Sequence, residues 1–386
     1  MTAVTHPRSL RRVIVATAAA LGATYTSALF AAPAQAATAV TMDRGVLAIE
    51  GDAARNSLVV GQTPSGVITL NGAAVLEGGA TIGDVNLIVA DGGPGDDTLR
   101  VDETNGAMPS TLFIGGAGND QLSGGSGDDQ LFGGDGIDAI DGRVGDDTLL
   151  GQAGNDKIIG GRGTDFVLSG EDADQFTWNP GDGSDVVEGG AGKDTLLFNG
   201  SAASEIVRLS TDRGHLRLTR NVAGVTMSVG GFELVRTDLS SGEDLVDVTD
   251  LTGAGTTQLQ IALTPSSNGD ASDAVLVTGT SGADRIRITG PSTTGTVTVS
   301  GLPATVLVTG TDALQVQGLA GKDVIDAAGL SVGAVVLSEF GGPDNDILVG
   351  TPGNDTLRGD DGDDRLEGRG GDDTLDGGGG ENVIIR

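Results

Sequence analysis

A nine-residue repeat that keeps its register over residues 115–168 constrains the fold of this chain more than any other feature. Its six units read GGAGNDQLS, GGSGDDQLF, GGDGIDAID, GRVGDDTLL, GQAGNDKII and GGRGTDFVL, with glycine first and fourth, Asp sixth and an apolar residue eighth. Glycine allows a sharp turn because it adopts positive φ without a steric penalty. The last three residues of each unit predict a short strand whose central side chain points inward. Two units therefore predict one flattened coil, and successive coils predict stacked parallel strands.

This stacking brings carboxylates together. Neighbouring coils lie about 4.8 Å apart, so the sixth-position carboxylates of every second unit form a row. Two such charges repel by roughly 3–4 kcal/mol at an effective dielectric constant of about 20. A divalent cation with oxygen ligands removes this repulsion, and Ca²⁺ suits the site because it accepts six to eight oxygens in irregular geometry. The repeat therefore predicts bound calcium ions.

The composition by itself fits either a disordered chain or a folded repeat protein. Glycine accounts for 67 of 386 residues, the formal net charge is −32, and only 3% of residues are aromatic, as in a disordered protein. A strict nine-residue register is not needed by a disordered chain, so we favour a folded repeat protein. The chain contains no Cys, and an exported protein with so thin a core needs another means of stabilisation than disulfides. Bound calcium meets that need.

Residues 1–36 have the pattern of a secretory signal peptide. Three arginines precede an apolar run from Val13 to Ala32, and Ala34-Gln35-Ala36 resembles a cleavage site. A membrane anchor is the alternative interpretation. Arg11-Arg12 leaves open a twin-arginine rather than a general secretory route. We expect a secreted, extracellular or cell-surface protein, with no transmembrane segment after cleavage.

The rest of the chain alternates between repeat arrays and other β-rich segments. Apolar and polar residues alternate with a period of two in many short runs, as in strands with one buried face. Units at Gly51 and Gly92 lie 41 residues apart, and units at Gly279 and Gly318 lie 39 apart, so duplication of a longer module is indicated. The predicted division is 1–36 signal peptide, 37–114 N-terminal spacer module, 115–198 first array, 199–340 duplicated spacer modules and 341–386 second array. Phe176, Trp178 and Phe198 are interpreted as a cap that shields the last coil of the first array.

The nonapeptide units resemble the RTX, or haemolysin-type, calcium-binding repeats, and the overall plan resembles exported bacterial calcium-binding repeat proteins. This resemblance covers roughly a third of the chain and implies an all-β fold, a parallel β-roll with calcium between stacked loops. The residues that match the family's acidic ligand are Asp97, Asp120, Asp129, Asp138, Asp147, Asp156, Asp165, Asp174, Asp185, Asp194, Asp284, Asp346, Asp355, Asp364 and Asp373. Asp97 and Asp284 stand in isolated units. We expect the spacers to fold with little help from calcium, because they contain few sixth-position Asp residues.

No catalytic motif is recognised. The zinc-protease motif H-E-x-x-H is impossible with only His6 and His215, and no G-x-S-x-G elbow is present. We interpret His215 as a strand-edge residue rather than a base, and the acid pairs such as Asp146-Asp147 as parts of the metal-binding units rather than a glycosidase pair. No EF-hand series is present.

Two functions remain at this stage. The first is a structural calcium-binding protein with a scaffolding or adhesion role, whose partners are calcium ions and a cell-surface or extracellular polymer. The second is an exported β-helical enzyme acting on polysaccharide, with its site in residues 200–340. The net charge disfavours nucleic acid as a partner.

Overall fold

The computed structural model describes residues 39–76, 79–264, 272–290 and 295–386. The predicted signal peptide lies outside these ranges. Within them the regular structure is β-strand, apart from two short 3₁₀ turns at Ile82–Asp84 and Val222–Gly224. None of the helices in this described part is long and apolar enough to cross a membrane. The chain divides into two compact units, Met1–Asp174 and Gln175–Arg386.

The strands of the first unit are short. They are β1 Ala39–Asp43, β2 Val46–Glu50, β3 Ser57–Gln62, β4 Ile68–Leu70, β5 Ala73–Ala74, β6 Leu87–Pro94, β7 Thr98–Asp102, β8 Thr111–Ala117, β9 Gln121–Ser123, β10 Gln130–Asp135, β11 Ala139–Val144, β12 Thr148–Ala153, β13 Lys157–Arg162 and β14 Phe166–Glu171.

These strands form two sheets on opposite sides of a roll. One has the order β1-β2-β6-β8-β10-β12-β14 and the other β5-β4-β3-β7-β9-β11-β13. Parallel pairing starts at β2–β6 and β3–β7, and within the array paired residues are 18 apart, as in Leu131↔Leu149 and Ile140↔Ile158. Two nonapeptides therefore make one coil, as the repeat predicts. The eighth-position side chains fill the interior, where Leu122, Leu131, Ile140, Leu149, Ile158 and Val167 are buried.

The second unit contains the remaining strands. They are β15 Gln175–Trp178, β16 Val186–Ala191, β17 Thr195–Asn199, β18 Ile206–Asp212, β19 His215–Arg220, β20 Val225–Gly230, β21 Leu234–Leu239, β22 Leu245–Val248, β23 Gln258–Leu263, β24 Ala274–Thr278, β25 Arg285–Gly290, β26 Thr296–Ser300, β27 Thr305–Thr309, β28 Ala313–Gln317, β29 Val324–Leu330, β30 Val336–Pro343, β31 Ile347–Val349, β32 Asp355–Asp361, β33 Arg365–Glu367, β34 Thr374–Asp376 and β35 Val383–Ile385.

The second unit has the same two-sided plan, interrupted by two antiparallel meanders. Its sheets run β16-β20-β19-β18-β22-β24-β28-β30-β32-β34 and β15-β17-β21-β23-β27-β26-β25-β29-β31-β33-β35. The first meander is β18–β20 in one sheet and the second is β25–β27 in the other. The outer strands of each meander pair in parallel with the coils on either side. The duplicated spacers are thus coils of the roll with a hairpin added, because their terminal strands keep the parallel register.

The observed architecture confirms the predicted all-β fold with parallel β-roll arrays. The aromatic residues differ from their expected role as a cap. Trp178 and Phe198 are buried, and their rings stack with centroids 4.4 Å apart. β21 pairs in parallel along β17, so the stack continues beyond Phe198 and the aromatic pair fills the interior of the second unit.

Candidate metal centre

The sixth-position carboxyl groups lie inside the roll, where the turns meet the strands. Every Asp residue that the sequence singles out as a ligand is buried except Asp373, which is partly exposed near the last coil. The buried set is Asp97, Asp120, Asp129, Asp138, Asp147, Asp156, Asp165, Asp174, Asp185, Asp194, Asp284, Asp346, Asp355 and Asp364. Burial of so many carboxyl groups costs free energy unless each is paired or neutralised.

One oxygen of each carboxyl group is used to join neighbouring coils. The backbone N–H of a sixth-position Asp donates to Oδ1 of the sixth-position Asp one coil later. In the first unit one column runs through Asp97, Asp120, Asp138, Asp156 and Asp174, with distances of 2.7–2.8 Å. The second column joins Asp129 to Asp147 at 2.7 Å and Asp147 to Asp165 at 2.9 Å. The predicted alignment of these three residues in one row is therefore confirmed.

The other oxygen differs among the residues, and Oδ2 of Asp129 accepts the N–H of Gly125 at 2.7 Å. Oδ2 of Asp97, Asp120, Asp138, Asp147 and Asp156 is buried and accepts no hydrogen bond from the protein. A buried polar atom without a partner costs about 1–3 kcal/mol, and more when it is charged. This recurring Oδ2 atom points to a ligand that the polypeptide does not supply.

The first glycine of each unit leaves room beside this oxygen. A Cβ atom at Gly142 would collide with Oδ2 of Asp147 and would lie 2.5 Å from the carbonyl oxygen of Gly160, one coil later. The same pairing of a carboxylate oxygen with a carbonyl oxygen recurs at Gly115, Gly133 and Gly341. Two oxygens from adjacent coils thus converge on a space that only glycine leaves open. Such oxygens are the ligands that Ca²⁺ prefers, so the residues present fit a calcium ion.

Asn56 shows how the polypeptide fills this space without a metal. It precedes Asp97 in the first column, and its backbone N–H donates to Oδ1 of Asp97 at 2.6 Å. Its side-chain amide donates to the carbonyl oxygen of Gly92 at 3.2 Å, the carbonyl that matches Gly160 in the array. The amide of Asn56 therefore donates a hydrogen bond to the carbonyl oxygen of Gly92. In the array, the carbonyl oxygen of Gly160 faces the carboxylate of Asp147, which is itself an acceptor.

The burial of these groups raises their pKa. Desolvation is the main cause, and it raises the pKa of Asp120, Asp147 and Asp156 to about 7 and that of Asp138 to about 6. Negative charges in the same columns add to the shift, such as Asp165 and Asp129 beside Asp147. The carboxyl groups are therefore costly to ionise in the absence of a cation, which is the electrostatic problem that the stacking predicted.

The fifth-position residues form a separate, exposed ladder. The N–H of Thr164 donates to Oδ1 of Asp146 at 2.8 Å, and the N–H of Asp146 donates to Oδ1 of Asp128 at 2.9 Å. Asp146 is exposed, as expected, but its carboxylate also accepts a backbone hydrogen bond from the next coil. Asn residues occupy this position in other units, where Asn119 and Asn155 accept the same bond. Where the fifth residue accepts this bond, its acceptor therefore need not carry a charge.

The second unit has carboxylate columns of its own, and beside the predicted ligands they contain Glu205, Asp244, Asp273, Asp312 and Asp323, which were not predicted from the sequence. One column joins Asp284, Asp323, Asp346, Asp364 and Asn382. Another joins Glu205, Asp244, Asp273 and Asp312. Oδ2 of Asp244, Asp273, Asp323, Asp346 and Asp364 is buried without a hydrogen-bond partner.

A sequence signal existed for two of these residues. Asp244 and Asp323 occupy the sixth positions of LSSGEDLVD and GLAGKDVID, so the repeat register identifies them. Asp273 follows no glycine-rich turn, and only the strand register reveals its place. Asp97 and Asp284, which stand in isolated units, have stacked partners in Asp120 and Asp323.

The arrangement places one buried sixth-position carboxyl group in each turn of the first array rather than a cluster of them. Over the described ranges, no group of three or more His, Cys, Asp or Glu side chains is placed to hold a metal ion. A site assembled from one carboxylate per coil and main-chain carbonyl groups does not need such a cluster.

His215 lies on β19, away from these columns. Its Nδ1 atom is 3.3 Å from Oγ of Ser228 and 3.5 Å from Oε1 of Glu188. A catalytic triad requires the acid and the nucleophile on opposite ring nitrogens. Both contacts of His215 involve the same nitrogen, so this arrangement does not form a triad.

Comparison with models of protein families identifies the type of the nonapeptide repeats. The family model for the RTX calcium-binding nonapeptide repeat (4 copies) matches residues 112–140, 141–176, 181–200, 340–375 and 349–384. A search of the curated proteins gives no match. The matched residues include both places where the carboxylate columns run at 18-residue spacing. The two matched regions of this chain are thus RTX calcium-binding nonapeptide repeats, folded as a β-roll.

Proposed function

We propose that this chain is an exported calcium-binding protein in which calcium ions between stacked Gly/Asp turns complete the fold, and that its role is structural, as a scaffold or adhesin. The observation that carries the proposal is the recurring Oδ2 atom of the sixth-position Asp. In Asp97, Asp120, Asp138, Asp147 and Asp156 this atom is buried, accepts no hydrogen bond from the protein and lies near a carbonyl oxygen of the next coil.

Calcium supplies what this arrangement lacks. A bound divalent cation provides positive charge to the carboxylates and a partner for the carbonyl oxygens. The chain's own residues do the remaining work. Oδ1 holds the neighbouring backbone N–H, the first glycine keeps the space open, and the fifth-position side chain holds the outer edge of the turn. These contacts set the register in which adjacent turns meet when the ion binds.

Export and a structural role are supported by other observations. The basic and apolar pattern of residues 1–36 supports export. The concentration of free calcium outside cells suits sites with dissociation constants of about 10⁻⁴–10⁻³ M, which are typical of extracellular modules. We further propose that the chain has no catalytic activity, and the one-sided contacts of His215 support this.

A calcium titration of the purified protein tests the proposal. We expect far-ultraviolet circular dichroism to show a gain of β structure as calcium is added to the calcium-free protein, with little response to magnesium at the same concentration. Isothermal titration should give several calcium ions per chain. A folded spectrum that is the same in excess chelator and in calcium would contradict the role of calcium in folding. A parallel screen for glycan binding and cleavage tests the adhesive role and the absence of catalysis.

A further inference from the structure

Glu205 occupies the head of a carboxylate column in the second unit. Its backbone N–H donates to Oδ1 of Asp244 at 2.8 Å, as a sixth-position Asp does elsewhere. The Glu205 side chain is fully buried, and a Cβ atom at Gly200 would lie 2.5 Å from its Oε2. The carboxylate of Glu205 therefore lies beside Gly200 as that of Asp147 lies beside Gly142, but a side-chain carbon of Leu239 takes the place of the carbonyl oxygen.

At this position an arginine takes the place where a cation is needed. Arg220, at the end of the middle strand of the first meander, is only 4% exposed. Its guanidinium group pairs with Oε1 of Glu205 through both Nε, at 3.1 Å, and one terminal nitrogen. The same terminal nitrogen donates to Oγ of Ser201 at 2.9 Å, and the other donates to the carbonyl oxygen of Val222 at 3.3 Å. The buried carboxylate is thus matched by a buried positive charge.

The aromatic pair holds this arginine in place. The guanidinium carbon lies 5.4 Å from the ring centroid of Trp178, which stacks on Phe198. A desolvated guanidinium group is attracted to the face of an aromatic ring. Trp178, stacked on Phe198, therefore packs against the one buried ion pair in the described part of the chain.

The second meander provides a natural comparison. Asp284 stands where Glu205 stands, and its N–H donates to Oδ1 of Asp323 at 2.7 Å. In the first meander Arg220 lies opposite Val207, two residues after Glu205. The matching position of the second meander is Gly301, because Ser300 lies opposite Arg287. Asp284 receives hydrogen bonds from the backbone and hydroxyl of Thr280, and no ion pair to it is present in the described part of the chain.

We propose that Arg220 is an internal counter-ion that replaces calcium at the head of the Glu205 column. The guanidinium group neutralises Glu205 through Oε1. Oε2 has no hydrogen-bond partner, but a side-chain carbon of Leu239, not a carbonyl oxygen, lies beside it at Gly200, so the second oxygen ligand of the array sites is missing here. The first meander therefore folds without calcium, whereas Asp244 and Asp273 further along its column, and the column headed by Asp284, depend on an added cation. The roll then contains a segment that is ordered before calcium binds and from which the calcium-dependent coils can extend.

Hydrogen exchange of the full-length protein, resolved by peptide, tests this proposal. In calcium-free buffer with chelator, we expect β18 and β19 to exchange slowly and to be unaffected by added calcium. The equivalent strands β25 and β26 should exchange faster and should slow when calcium is added. An equal calcium response in the two meanders would overturn the proposal. A lack of calcium response throughout the protein would instead count against the proposed function.

Two variants separate the charge of Arg220 from its packing. Arg220→Met should accelerate exchange in β18 and β19 by about a hundredfold or more, because it leaves a buried carboxylate unpaired. Adding Glu205→Gln should restore slow exchange, since the double variant has no buried charge. Loss of protection that the second change does not restore would show that Arg220 acts only by packing. Should Arg220→Met fail to fold, the double variant decides: a folded double variant supports the proposal, and an unfolded one overturns it.

Discussion

The backbone N–H of Asp129 donates a hydrogen bond to Oδ1 of Asp147, one coil further along the chain, at 2.7 Å. The same carboxylate presents its second oxygen, Oδ2, to the space beside Gly142 and the carbonyl group of Gly160. One side chain therefore serves both the backbone register of the coils and the proposed metal site. These two tasks belong to different oxygens, so substitution can separate them.

Exchanging the carboxylate for an amide separates the two tasks. Asp147→Asn keeps Oδ1 for the N–H of Asp129 and replaces Oδ2 by a donor facing the carbonyl group of Gly160, as Asn56 already does with Gly92. We expect a lower calcium stoichiometry, together with a calcium-free form that is more stable by about 1 kcal/mol or more. Isothermal titration measures the first quantity and chemical unfolding without calcium measures the second.

Asp146→Asn is the matched control for this substitution. It removes the same formal charge at the neighbouring exposed position and keeps the oxygen that accepts the N–H of Thr164. We expect unchanged stoichiometry and a change in stability within about 0.5 kcal/mol. Equal loss of calcium from both variants would show a diffuse acidic surface instead of specific sites.

Low pH should partly replace calcium. The carboxyl groups of Asp120, Asp147 and Asp156 titrate at about 7 in the calcium-free fold and near 3.9 when unfolded. Between these values the folded state binds more protons, so this stabilisation is full below about pH 4 and is lost as the pH rises through 7. We expect the calcium-free protein to melt at a higher temperature at pH 5 than at pH 8.

The affinity for calcium should increase with pH, whereas the stability of the calcium-free protein decreases. Ionised carboxylates are needed to bind the ion, so calcium affinity should fall as the pH drops from 8 to 6, with protons released on binding. Thermal unfolding in calcium-depleted buffer and titration in buffers of different protonation enthalpy measure the two effects. A calcium-free protein whose stability increases from pH 5 to pH 8 would contradict the burial of these carboxyl groups.

The first glycine of a unit should be required for steric reasons alone. Gly142 has no positive φ, yet a Cβ atom there would collide with Oδ2 of Asp147. We expect Gly142→Ala to destabilise the protein by about 1–3 kcal/mol and to remove calcium from the adjoining turn. Gly83→Ala is the control, because its Cβ would make only an ordinary contact of 3.8 Å with Thr81. Similar stability of the two variants in saturating calcium would argue against the converging oxygens.

The Glu339 side chain should destabilise the folded protein. It is fully buried on β30, between Val316 and Leu357 in the strand register, and neither carboxyl oxygen has a hydrogen-bond partner. Desolvation raises its pKa well above the usual range, and Asp355 and Asp326 add to the shift. We expect Glu339→Leu to raise the free energy of unfolding by about 1–3 kcal/mol in saturating calcium. Destabilisation by this substitution would indicate that the carboxyl group binds an ion or water.

Several parts of the candidate site follow from sequence because they depend on spacing. Asp129, Asp147 and Asp165 are 18 residues apart, so a nine-residue period with two units per coil is enough to place them in one row. Their role as calcium ligands stays a prediction. The position of Asp273 does not follow from spacing, because its neighbours in the column are 29 and 39 residues away, and only the longer interval contains a meander.

The sequence by itself determined the β-roll, its period, the inward direction of the eighth side chains and the alignment of the sixth-position carboxylates in rows. These properties are local, since glycine sets the turn and the repeat length sets the register. Only the tertiary structure decided which oxygen of each Asp joins the coils and that Arg220 reaches Glu205 across a meander. Such contacts join residues from different coils and strands, and their partners depend on three-dimensional packing that no local pattern specifies.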